Sequence, residues 1–205
     1  MMQVFLSVGT ILVVFSAIIV ARSRSFDVSS TWSLLAFFLP LLVALVDFKL
    51  NILPVFPDAR LYDQLAWDTV LAWRRGDLLP TSYPNLRTQG YASIVAIVYF
   101  FVGRIPLFAI VLNTVIWGLT VCYWLRLNKE VINIRSEAFG VLLVLYPSGV
   151  IYAASFLREA VMGMFLVITL LHFSRWIQHK KIRNLLVGGI SFGLLAVIRP
   201  ETLPL

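Results

Sequence analysis

The chain holds ten Asp and Glu residues among 205, set between long uncharged stretches, so each carboxylate needs a reason for its place. Asp58 follows Pro57 at the start of a polar segment, and Glu159 follows Arg158 at the edge of an apolar run. A positioned carboxylate takes a proton from a hydroxyl, and arginine holds a phosphate through paired N–H groups. On the placement derived below, Asp47, Asp58, Asp63, Asp68, Asp77, Glu159 and Glu201 share one side of the apolar runs with Arg158 and Arg199. Together they could activate a hydroxyl and hold a lipid-linked phosphate, one of several chemistries these residues allow. Structural readings compete at two positions. Asp58 is a good helix N-cap, a role worth about 1 kcal/mol, and Glu159 is placed for an interfacial ion pair with Arg158. Asp27, Glu130 and Glu137 fall in basic loops, where solvation accounts for them. No nucleophile elbow, phosphate loop, zinc spacing or Ser/His/Asp pattern is present. His172 and His179 flank a basic segment without partners at metal-ligand spacing, and the single cysteine, Cys122, permits no internal disulfide.

The elements that must position these groups follow from composition. Hydrophobic residues make up 60% of the chain and the mean hydropathy is +0.90, against roughly 45–50% apolar in a soluble domain. Residues 1–20 and 107–125 carry no charge at all. Helices apolar on every face are stable in lipid, not in water. The expectation is an all-α, polytopic transmembrane helix bundle, one transmembrane domain over residues 1–205. The net charge of +7 sits in short clusters between apolar runs, the pattern of cytoplasmic loops and not of a nucleic-acid surface. Residues 1–5 carry no basic n-region and Arg22 and Arg24 follow the first run, so a membrane helix is favoured over a signal peptide.

Letting positive charge choose the sides places helices over residues 4–21 and 32–46, the second with Pro40 as a kink. Residues 47–89 then form the first long outer loop. Inside it, Pro57-Asp58 opens a helix and Arg74-Arg75-Gly76 closes one. Leu61, Leu65, Thr69 and Trp73 share a stripe with Tyr62, Ala66 and Val70 beside it, which predicts an amphipathic helix on the membrane surface. The next runs are 91–102, 107–125, 138–154, 160–173 and 184–198. The basic segments 126–135 and 175–183 both belong inside, which requires that 91–102 not cross. At about 12 residues it is short of the roughly 20 needed to span, so it reads as interfacial or re-entrant. The chain is expected to be the N-terminal part of a longer protein.

The stretch Pro57-Asp58-Ala59-Arg60-Leu61-Tyr62-Asp63-Gln64-Leu65-Ala66, running to Gly76, resembles the first outer loop of GT-C glycosyltransferases, with its Asp-x-x-x-Tyr-x-x-x-Ala pattern. Leu112-Asn113 resembles a helix opening of that family. Tyr146-Pro147-Ser148, Tyr152 and Leu157-Arg158-Glu159 resemble its second acidic site, and Ile198-Arg199-Pro200-Glu201 its arginine–proline pair before a further span. The resemblance covers residues 30–205. It implies a multi-span enzyme moving a sugar from a polyprenyl phosphate to a hydroxyl of a glycan, lipid or protein, on the outer side of the cytoplasmic membrane of a prokaryote. Asp58 would be the general base, Glu159 would position the acceptor or a metal, and Arg158 or Arg199 would hold the donor phosphate. Tyr62 and Glu201 join the substrate-binding set. Glu159 is a single acid where some members carry a pair, which leaves a divalent metal open. The competing readings are a polysaccharide polymerase-like or flippase-like protein, a non-catalytic membrane subunit and a transporter. Charges at helix ends and not mid-helix argue against the last.

Overall fold

The computed structural model describes residues 2–54, 56–77, 86–134 and 136–198. Helices run in the order α1 Met2–Phe26, α2 Ser30–Leu50, α3 Pro57–Arg75, α4 Leu86–Val102, α5 Pro106–Leu127, α6 Ser136–Val144, α7 Pro147–Ala154, α8 Glu159–His179 and α9 Ile182–Ile198. A π-helical turn, Asn128–Ile132, extends α5. No strand occurs among the described residues.

Among the described residues, three helices are long and apolar enough to cross a membrane: Ser30–Leu50, Pro106–Ile132 and Glu159–His179. The pair Glu137–Val144 and Pro147–Ala154, bent by 49°, counts as a fourth if it forms one broken span. The run 138–154, read as continuous from sequence, therefore breaks at Leu145-Tyr146. Pro147 is the cause, because it pushes the preceding residue out of the helical region, and Tyr146 sits at φ −62°, ψ 107°. Helix α5 is the central strut, packed by α1, α2, α7 and α8. Helix α2 by contrast leaves Leu35, Phe38, Leu42 and Leu45 exposed along one stripe, a face that water would penalise and hydrocarbon accepts.

Helix α3 ends where its sequence demands. Gly76 takes φ +90°, its N–H reaches Trp73 O at 3.1 Å, and Asp77 N–H reaches Ala72 O at 3.0 Å. This is a Schellman closure, which needs the left-handed residue that glycine supplies. At the other end the N-cap is Phe56, with Pro57 in the first helical turn, so Asp58 does not cap the helix. Proline suits that first position because its missing N–H has no partner to lose. Asp58 lies exposed in the same turn, where the helix dipole favours a carboxylate.

The apolar face of α3 is covered by protein. Tyr62, Ala66 and Val70 pack against Tyr91, Val95, Ala96 and Tyr99 of α4 in the largest core cluster. The stripe expected to meet lipid is thus met by α4, and Leu61 is left exposed. Asp63 locks the pair: its carboxylate accepts from Tyr99 Oη at 2.6 Å and from Arg104 Nη2 at 2.7 Å. The other end of α4 meets α9, since Gly90 abuts Val197 O and Ile198. Both ends of α4 therefore touch segments at the end of the bundle where α3 starts and α9 finishes.

The opposite end is basic. Arg22 of α1, Arg126 of α5 and Arg175 of α8 lie 4.0, 6.0 and 6.0 Å from the ring centroid of Phe26. Arg22 also donates to Tyr123 Oη. Arg126 and Arg175 both bind the Glu130 carboxylate. Lys129, hydrogen-bonded to Asp27 and adding its charge, holds that carboxyl below its usual range. The three basic segments that charge bias assigned to one side do share one end of the helix bundle.

Candidate functional site

The site is built around a break in the chain. Helix α7 ends at Ala154 and α8 starts at Glu159, and the residues between would leave backbone groups orphaned. Asn113, fully buried in α5, satisfies them: its amide donates to Ser155 O at 3.0 Å and Leu157 O at 2.8 Å. Its Oδ1 accepts from Tyr91 Oη at 3.1 Å, which ties α4 to the same point. Ser155 Oγ closes back onto Ile151 O at 2.7 Å. Leu112-Asn113 does not open a helix: α5 opens at Pro106, and Asn113 lies well inside it. A proline at the first turn of a helix sets the start, and a buried asparagine in an apolar helix marks a partner to be satisfied.

One helical turn along α5, Trp117 faces the same break. A cavity of about 240 Å³ opens there, lined by Trp117, Tyr146, Ser148, Gly149, Tyr152, Glu159, Ala160 and Gly163. Gly149 is required, because a Cβ at that position would lie 2.4 Å from Trp117 Cζ2. Two polar atoms are buried at this place with no hydrogen-bond partner among the described residues, Trp117 Nε1 and Glu159 Oε2. Buried polar atoms are nearly always paired, so an orphan donor and an orphan acceptor on two residues that line one cavity mark it as a candidate site for a polar ligand. Glu159 is the first residue of α8, where the helix N-terminus favours its negative charge.

Tyr152 connects this cavity to the start of α3, its ring 6.3 Å from that of Phe56. Asp58 follows Phe56 by two residues, so both candidate carboxylates belong to the same end of the bundle. A smaller cavity of about 180 Å³ has Asp47, Phe56, Arg60 and the Ala154–Ser155–Phe156 segment in its wall. Asp47 Oδ1 accepts from Leu53 N at 2.7 Å and fixes the turn out of α2.

The remaining candidates are placed as follows. Tyr62 is 1% exposed, stacked edge-on to Tyr91 with centroids 5.0 Å apart, and serves the α3–α4 packing. Arg158 caps α9 by donating from Nη1 to Ile198 O at 3.1 Å. Arg199 and Glu201 lie outside the described residues. No group of three or more His, Cys, Asp and Glu side chains able to hold a metal occurs among the described residues, and Glu159 is the one carboxylate among the residues lining the cavity. Trp117 was missed from sequence; the signal was its spacing of four from Asn113, which puts both on one face of α5. Comparison with family models, with curated proteins and with solved structures gives no match for this chain.

Proposed function

We propose that the chain forms part of a membrane glycosyltransferase of the GT-C type, with the cavity at Glu159 as the place where a sugar ring sits. The observation that carries this is one cavity with an aromatic wall, two of whose lining residues, Glu159 and Trp117, each hold a buried polar atom without a partner. Sugars present apolar C–H faces and polar hydroxyls at once, and aromatic rings with a few fixed polar atoms match both. The volume, about 240 Å³, equals the share of about eight waters, the scale of one ring. On this reading the bundle is polytopic, the basic end is cytoplasmic, and the α3 start and Glu159 cavity face outward.

In the reaction, Asp58 removes the proton from an acceptor hydroxyl. The acceptor oxygen forms a bond to the anomeric carbon as the bond from that carbon to the phosphate oxygen breaks, with inversion. The bonding pair leaves on the phosphate, and the proton rests on Asp58. Glu159 holds a sugar or acceptor hydroxyl, while Arg158 or Arg199 stabilises the leaving phosphate. Purified protein in proteoliposomes, given a panel of radiolabelled polyprenyl-phosphate sugars and a lipid extract as acceptor, should move label to a product while releasing polyprenyl phosphate. Intact donor across the whole panel, from protein shown to be folded, would count against the reading.

A further inference from the structure

We infer that the cavity at the basic end of the bundle holds the phosphate of an anionic phospholipid head group. The inference uses only the membrane-spanning part of the reading above and is independent of sugar transfer.

The cavity measures about 490 Å³, and Arg126, Glu130, Arg175, His179, Lys181 and Arg183 are in its wall. Four cations thus face one carboxylate. Glu130 is already engaged, accepting from Arg175 Nε and Nη2 at 2.8 Å each and from Arg126. That arrangement fixes Arg126 and Arg175 in place and leaves a net positive wall. Lys181 and Arg183 are exposed and form no ion pair among the described residues. A concave cluster of guanidinium and ammonium groups with surplus charge is a phosphate site by charge and by hydrogen-bond geometry.

The surroundings select a lipid over a soluble phosphate. Ile177 on α8, and Ile182 and Leu186 on α9, stand within two residues of the cavity's lining residues in sequence and are 62%, 65% and 58% exposed. Lys180, in the turn between these helices, has its ammonium 5.1 Å from the Trp176 ring centroid. Cations, an interfacial tryptophan and exposed aliphatic side chains at the ends of two packed helices match a head group and its acyl chains. A free phosphate would meet the charge but leave the apolar rim uncovered.

The test is native mass spectrometry of the full chain in uncharged detergent, with phosphatidylglycerol and phosphatidylcholine of identical acyl chains. The expected result is one retained phosphatidylglycerol with clear preference over phosphatidylcholine. Lys181→Gln with Arg183→Gln should weaken that preference about 25-fold, from roughly fivefold per cation near a lipid head group. Lys49→Gln with Arg74→Gln removes the same charge from α2 and α3, which contribute no residue to the cavity wall, and should leave it unchanged. Equal retention of both lipids, or equal losses in the two double variants, overturns the assignment. Competition by excess inorganic phosphate without any lipid preference assigns the site to a soluble phosphate and overturns the lipid as well. No donor sugar enters the measurement, so its failure and that of the transferase reading are separable.

Discussion

Asp58→Asn is expected to cut sugar transfer by about 10²–10⁴-fold, the range for loss of a positioned general base, while leaving the protein as stable as before. Asn is nearly isosteric but cannot accept the proton. The structural cost is small because the N-cap of α3 is Phe56 and Asp58 is exposed in the first turn, so only a dipole interaction of about 0.3–1 kcal/mol is at stake. Glu159→Gln should lower transfer through KM as well as kcat, since this carboxylate is placed against the bound ring. Asp77→Asn is the fitting comparison, its side chain 54% exposed in a surface pair with Arg75, and should turn over normally. Asp63 would be a poor one, since it clamps Tyr99 and Arg104. Initial rates at several donor concentrations decide the matter. Near-normal turnover in Asp58→Asn would reduce that residue to a helix-dipole role.

Asn113→Leu is expected to be the most destabilising single change in the site. Leucine keeps the branched shape and the number of heavy atoms, is somewhat bulkier, and removes every hydrogen bond. Ser155 O, Leu157 O and Tyr91 Oη then lose their partner at a point where Asn113 is fully buried. Each unsatisfied buried group costs about 1–3 kcal/mol in water-soluble proteins, and hydrogen bonds within bilayers average nearer 0.6. A combined loss of about 2–3 kcal/mol is therefore expected, or roughly 5–10 °C in apparent Tm at this chain length. Thermal unfolding in one detergent at one scan rate reads it. An unchanged Tm would mean that the α7–α8 break is held by packing alone.

How much of this the sequence discloses depends on the element. The apolar runs mark most of the helices, because unbroken hydrophobicity leaves few other options. The bounds of α3 are legible at both ends, from Pro57 and from the glycine closure at Gly76. Its buried face is legible as a face, but its partner is not. Periodicity shows that Tyr62, Ala66 and Val70 share a side, and nothing local reveals that Tyr91, Val95 and Tyr99 of α4 cover it. The Glu159 cavity is half visible. Tyr146, Tyr152 and Glu159 stand out as polar or aromatic residues at the edge of apolar runs, whereas Trp117 looks like one more apolar residue of α5. Its indole becomes informative only when Gly149 lets α7 approach and the ring nitrogen is seen without a partner. Non-local pairing of this kind carries no local signal.

The proposed transfer requires a sugar in the cavity lined by Trp117, Tyr152 and Glu159. Photo-crosslinking with a polyprenyl-phosphate sugar bearing a diazirine on the ring, followed by peptide mapping, tests that placement. Adducts are expected on Trp117 and within residues 146–163, suppressed by unlabelled donor and lost in Glu159→Gln. Adducts confined to other segments, or undiminished by competing donor, would contradict it.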